Sequence, residues 1–273
     1  MTLRLCTGPT AEPLHLTEAK LHLRAGGSID AESAALYTEE DATIKAAISA
    51  ARMAAEAEQW RALVLQTWDL YLSNFPGGNS ISLPFPPLRA VEFVRYTDSL
   101  GVVRDFEEFT IDFAGEPGRV VLNIGEPWPS VELDLVNPVH IRFKCGYLVP
   151  FTVSSGVVSF KDKPFVAGDI VRLSVSGGNL PEPLAETTDY FITETGFSLT
   201  DGGDDIALTS DGTGSFFVGV LPHCTNVGMK LIIADLYEER ADTVIGRSQA
   251  ALPATLPRAA VHWFSMDSAK FFV

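Results

Sequence analysis

His223 and Cys224 stand side by side, Asp201, Asp204 and Asp205 crowd a glycine-rich turn with Asp211 close behind, and Gly77-Gly78-Asn79-Ser80 interrupts a β-rich stretch. These are the residue types that could do chemistry: a thiol–imidazole pair, oxygen ligands for calcium, a phosphate-binding turn. Each falls short on spacing. Adjacent residues rarely converge on one substrate, and His223 and Cys224 lie just before a helical period, where they serve its entry. The aspartates lack the spacing and the closing bidentate glutamate of a helix–loop–helix calcium site, and acidic glycine-rich turns are common between strands. The GGNS turn has strands on either side and no helix N-terminus behind it. No Walker loop, His-Glu-x-x-His, Cys-x-x-Cys or Gly-x-Ser-x-Gly occurs. The expectation is a protein with no catalytic residues, no metal and no cofactor. Thiol or metal chemistry at His223 and Cys224 stands as the enzyme reading, which full function of a Cys224→Ala variant would remove.

The bulk properties agree. A chain of 273 residues with 46% hydrophobic content can bury a real core. No run approaches eighteen apolar residues and no signal core opens the sequence, so a soluble protein without a membrane partner is expected. Cys6, Cys145 and Cys224 are an odd number without ligand spacing, the pattern of reduced cytoplasmic thiols. With 20 Lys+Arg against 35 Asp+Glu the net charge is −15, which opposes tight phosphate binding and sequence-specific DNA recognition. The charge is uneven: residues 152–219 hold 3 basic and 10 acidic side chains, whereas 241–273 hold 3 and 2.

Several elements must position these residues. Leu16-Thr17-Glu18-Ala19-Lys20-Leu21 predicts a helix start with Thr17 as N-cap and Leu16 and Leu21 as a hydrophobic staple, ended by Gly26-Gly27. A second helix is expected from behind Thr38 to about Trp60, with Ile44, Ala47, Ile48, Ala51, Ala54 and Ala55 as a mostly alanine stripe that lets another helix approach closely. From Leu65 the period becomes two, predicting an antiparallel β region that ends at Val139–Cys145, where Val139, Ile141, Phe143 and Cys145 alternate with His140, Arg142 and Lys144. That strand runs into "CGYLVPF", yet helical period returns only at Met229, Ile232, Ile233, Leu236, Tyr237 and Arg240, with Asn226 as N-cap. Between them "DIVRLSV", "DYFIT" and "GFSLT" read as strands of a small β domain inserted at 151–219. Such an insertion is tolerable because a longer loop costs little extra entropy.

Beyond the last helix, 241–273 contains Pro253 and Pro257, shows no convincing period and reads as an extended arm. Its Val261, His262, Trp263, Phe264, Met266, Phe271, Phe272 and Val273 are too few to form a core. They must be buried against the protein's own body or a partner. Trp60, Trp68 and Trp128 are expected in packing rather than as a base-stacking platform, since no basic residues are interleaved with them. The fold class is therefore α+β: a helical bundle core with an antiparallel β region over 1–150 and 220–240, an inserted all-β domain and the arm.

With the insert set aside, "LHLTEAKLHLR" (14–24), "AAISAARMAAEAEQWRALVLQTWDLYL" (46–72), "LPFPPLRAVEFVRYTDSLGVVRDF" (83–106), "EPGRVVL" (116–122), "VHIRFKCGY" (139–147) and "LIIADLYEERADTVIG" (231–246) follow one another in an order that resembles the head-to-tail connector, or adaptor, proteins of tailed bacteriophages and gene transfer agents. The resemblance implies a structural virion protein at the neck, assembled in the host cytoplasm: a twelvefold ring beneath the portal that extends the DNA channel and meets the next neck or tail-completion protein. On that reading Ile44, Ala47, Ile48, Ala51 and Ala55 pack neighbouring copies, the arm's apolar residues dock on the portal, and the acidic excess lets genomic DNA pass without sticking. The insert departs from the family's common form and is similar to small β repeats of phage tail and decoration proteins. A glycan- or receptor-binding β module on a helical scaffold is the rival reading, with Tyr190, Phe191, Phe197, Phe216 and Phe217 as its candidate rings.

Overall fold

The computed structural model describes residues 1–23, 40–238 and 256–269. Along the chain run β1 (Thr2–Thr7), α1 (Leu16–Leu23), α2 (Asp41–Gln59), β2 (Gln66–Leu72), β3 (Ser80–Ser82), β4 (Leu88–Thr97), β5 (Val103–Asp105), β6 (Phe109–Asp112), β7 (Arg119–Leu122) and β8 (Val139–Cys145). There follow β9 (Val149–Ser154), β10 (Val157–Phe160), β11 (Ile170–Asn179), β12 (Asp189–Ile192), β13 (Phe197–Ser198), β14 (Thr213–Val218), α3 (His223–Glu238) and α4 (Arg258–Ser265). The chain is α+β. The helices form one layer, the antiparallel order β1-β2-β8-β4-β5 makes a first sheet, β3-β7-β6 a small second one, and β10-β9-β14-β11-β12-β13 a third.

Period-two hydrophobicity is what builds the first sheet. Val139, Ile141, Phe143 and Cys145 of β8 are buried, while His140, Arg142 and Lys144 are half-buried on the other face. Their register against β2 sets Phe143 opposite Trp68 and Arg142 opposite Asp69. Asp69 accepts two bonds from Arg142, at 2.7 and 3.0 Å, and His140 Nε2 lies 3.0 Å from the same carboxylate. Arg142 holds this carboxyl below the usual range against the opposing effect of burial.

The helical layer owes its shape to small residues. Ile44, Ala47, Ile48, Ala51 and Ala55 of α2 are buried together with Met229, Ile232 and Ile233 of α3, so the alanines admit α3. The expected start behind Thr38 lies outside the described residues, as do Gly26-Gly27. Trp60 closes α2 in the left-handed conformation, with φ 56°.

Two helix starts differ from expectation. α1 begins at Leu16, so its cap is His15 rather than Thr17: His15 Nδ1 accepts the Thr17 N–H at 3.2 Å. The staple moves by two residues with it, to buried Leu14 and Ala19, while Leu21 is 80% exposed. α3 begins at His223, not after Asn226; the Asn226 N–H already reaches back to the Pro222 carbonyl, because a proline pre-sets the first turn.

The third sheet occupies Val149–Val218, so its first strand starts two residues before the expected 151 and Pro150 lies within it. Its two junction strands are neighbours: Val149 pairs with Val218 and Phe151 with Phe216. The connection is tight. A Cβ on Gly146, at φ +144°, would lie 2.6 Å from the Val64 carbonyl, and one on Gly219, at φ +108°, would strike the Tyr147 carbonyl oxygen. Arg89 donates to the carbonyls of Gly146 and Tyr147 at 2.7 and 2.9 Å. Val64, Leu148 and Phe217 make a small buried cluster between the sheets.

Candidate assembly surfaces

The residues that could do chemistry are not brought together. Asp205 accepts from the Thr193 and Thr195 hydroxyls, which lowers its pKa, and Asp211 accepts the Ser155 and Gly156 amides at 3.0 and 2.9 Å. Asp205 and Asp211 are thus committed to two different neighbouring turns, and no metal-holding group occurs among the described residues. Gly78 accepts the Trp128 indole N–H at 2.7 Å and Asn79 accepts the Leu122 amide, which uses the GGNS turn in the sheet. His223 and Cys224 occupy the first turn of α3. Among the described residues no helix is long and apolar enough to cross a membrane.

The rings proposed for a glycan site are core residues. Tyr190, Phe197, Phe216 and Phe217 are buried and Phe191 half-buried. A groove of about 620 Å³ beside β9 and β14 is lined by Phe151 and Phe216, both buried, and by Lys161 and Asp211. It offers no exposed ring on which a sugar could stack. Trp68 and Phe85 pack at 4.7 Å, and Trp128 stacks on Phe75 at 5.1 Å, so these tryptophans serve packing.

The stripe expected to pack neighbouring copies is occupied within the chain. Ile44, Ala47, Ile48, Ala51 and Ala55 face α1, α3 and α4, which leaves them no surface to offer a second copy. The neighbouring Arg52 bonds Glu12 and Glu56, each at 2.8 Å. Burial pushes the Glu56 carboxyl up despite Arg52 and the Leu63 amide.

The described part of the expected arm is also a correction. Residues 258–265 form a helix with Ala260 and Phe264 fully buried in the helical core. Phe264 sits over Gly228 of α3, where a Cβ would fall inside the ring's contact radius. Polar bonds hold the same segment: the buried Gln59 amide reaches the Phe264 carbonyl at 3.3 Å, the Ala269 amide donates to the Gln59 carbonyl at 2.9 Å, and Arg61 Nε donates to the Asp267 carbonyl at 2.6 Å. Tyr147 O–H points to the Asp267 carboxylate at 3.3 Å. Burial raises the Asp267 carboxyl, with Arg61 opposing it. The two turns behind Pro257 carry too few positions for a helical period to be legible, yet Ala260 and Phe264 are the i, i+4 pair that buries it. Val261 and Trp263 are half-buried and His262 and Met266 exposed, whereas Phe271, Phe272 and Val273 lie outside the described residues.

The residues missed from sequence are the fasteners: Gln59, Arg61, Arg89 and Ser176. Ser176 in β11 accepts the His15 amide at 2.7 Å and donates to Glu18, so the third sheet holds the start of α1. Single polar residues carry no periodic signal. Their only trace is that Gln59 and Arg61 flank the predicted end of a helix.

No protein-family model matches the chain and no curated protein does. Among solved structures it is similar in fold to a chain from the neck of an empty gene transfer agent (GTA) particle computed with C6 symmetry, with TM-score 0.57, 18% identity, and coverage of 100% of this chain and 98% of that one. It is likewise similar to a chain from the virion of a native GTA particle, with TM-score 0.52, 18% identity and the same coverage.

Proposed function

We propose that this protein is a structural component of a virion or gene transfer agent neck. It forms a ring, of twelve copies, below the portal, extends the DNA channel and joins the head to the next neck or tail-completion protein. The observation that carries this reading is the likeness in fold, over the whole chain, to a chain from a GTA neck. A neck with sixfold symmetry suits a ring whose copy number is a multiple of six. The net charge of −15 suits a wall past which DNA slides without adhering. No catalytic role, cofactor or membrane association is part of the proposal, and assembly takes place in the host cytoplasm.

Within that ring the portal contact falls to the outward side of α4, where Val261, His262, Trp263 and Met266 are exposed or half-buried. Phe264 is committed inward. The third sheet serves as a module of its own, held at the Gly146–Val149 and Val218–Gly219 crossings, and makes an accessory contact on the neck exterior.

Imaging of purified particles carrying a small tag on this chain tests the proposal. Tag density in the layer directly below the portal is the expected result. Its absence from the neck, with the chain present in the particle, would overturn it.

A further inference from the structure

At one end of the first sheet, two loops are laced together. The Thr97 amide bonds the Pro138 carbonyl at 2.8 Å, the Ser99 amide bonds the Glu132 carbonyl at 2.9 Å, and the Asp134 amide bonds the Thr97 carbonyl at 3.1 Å. On the far side of the same strand, Thr97 pairs with Val103. Ser99 thus lies beside Glu132, and Val103 and Asp134 flank Thr97 about two strand spacings apart, roughly 10 Å.

Six large aliphatic side chains are exposed on this end: Leu100 (85%), Leu135 (95%), Val136, Val102, Val103 and Val131. The loop that carries three of them is fixed from beneath. The buried Asp98 carboxylate accepts the Leu100 and Val102 amides at 3.1 and 3.0 Å through one oxygen, and Arg104 at 3.0 and 3.1 Å through the other. An apolar tip held rigid in solvent is a surface that association would cover at little ordering cost.

Charge decides the occupant. From Asp98 to Val136 the chain has nine acidic residues and two arginines, and both arginines are paired internally, Arg104 with Asp98 and Arg119 with Asp112. Glu132 and Asp134 are exposed beside the aliphatics. A phosphate backbone or an anionic lipid surface is repelled by such a rim. A second copy of this chain complements it poorly, because most of its described arginines are already bonded to carboxylates or carbonyls. We propose that the Leu100–Leu135 tip docks into an apolar socket with a Lys/Arg rim on a different protein. This stands on the tip alone and does not depend on the neck assignment.

A photo-crosslinking residue at Leu100 or Leu135, activated in producing cells and mapped by mass spectrometry, tests it. The expected adduct is to a different polypeptide, at a peptide holding aliphatic and basic residues. Glu132→Lys with Asp134→Lys should cut its yield about tenfold, while Leu100→Ser with Leu135→Ser abolishes complex formation and leaves the melting curve unchanged. Adducts to this chain itself, adducts to lipid, no adduct at all, or a yield indifferent to the charge reversal would each overturn the proposal.

Discussion

Phe264 and Gly228 fit one another across two helices: the ring lies where a side chain at 228 would begin. The contact joins a residue 36 positions distant in sequence to the centre of α3 and closes the helical core over Ala51 and Ala55. Gly228→Val should therefore lower stability by about 1–3 kcal/mol through overpacking, and Phe264→Ala by about 3–5 kcal/mol through the cavity it leaves. Urea unfolding measures both. A native-like midpoint for Phe264→Ala would mean that α4 is not part of the core.

Deleting residues 259–273 should have the same consequence as Phe264→Ala and add the loss of the Gln59 and Arg61 contacts. The truncated chain is expected to melt lower and to expose apolar surface to a dye. In the full chain, limited proteolysis should spare 258–269. Rapid cleavage there would favour an arm free in solution.

Ala51 is fully buried where α2 meets its neighbours, so Ala51→Leu should cost about 1–3 kcal/mol. An unchanged melting curve would show the helix rotated away from the described packing.

Acid should weaken the first sheet. Asp69 has its folded-state pKa depressed below the ordinary 3.8, chiefly by Arg142. A depressed carboxyl contributes stability that is complete above the unfolded value and is lost as pH falls through the lower folded one. The stability gap between the wild type and Asp69→Asn should thus be full at pH 7 and shrink below about pH 4. Glu56, whose pKa is raised, works in the opposite sense: its protonation on mild acidification favours the folded state, so Glu56→Gln should flatten that part of the profile. A gap for Asp69→Asn that is constant with pH would rule out the ion pair as its source.

Replacing 152–219 with a Gly-Ser linker should leave the helices and first sheet able to fold, with a lower midpoint. The exchange uncovers Leu65, which packs in the third sheet's core, and breaks the Val64–Leu148–Phe217 cluster. It also deprives the His15 amide of Ser176. Ser176→Ala alone should loosen α1 and speed amide exchange over 16–23. Loss of all cooperative unfolding in the linker variant would make the third sheet part of one indivisible core.

Where many residues repeat one instruction, the sequence was legible. The β8 alternation and the α2 stripe each rest on four or more positions in phase, and both faces are buried, the stripe inside the chain's own helical core. Where one residue decides, it was not. The cap of α1 depends on a histidine standing in for a hydroxyl, and α4 on a phenylalanine meeting a glycine together with single polar bonds from Gln59 and Arg61. The surface at Leu100 and Leu135 is a matter of topology, since residues 35 apart in sequence come to one end of the first sheet only because β4 and the approach to β8 are laced together.

The two crossings into the third sheet bear on how the protein would carry load. β9 enters and β14 leaves at the same end of that sheet, side by side, with Val149 paired to Val218. A pull that draws the sheet away from the body tensions both strands together and in the same sense. Neither strand slides along or peels from the other, so the bonds between them are spared and the force divides between two covalent chains. Arg89, bonded to the carbonyls of Gly146 and Tyr147, sits at the root of that double tether. A particle that strains this junction would meet the stiffness of paired chain before it tested a single sheet hydrogen bond.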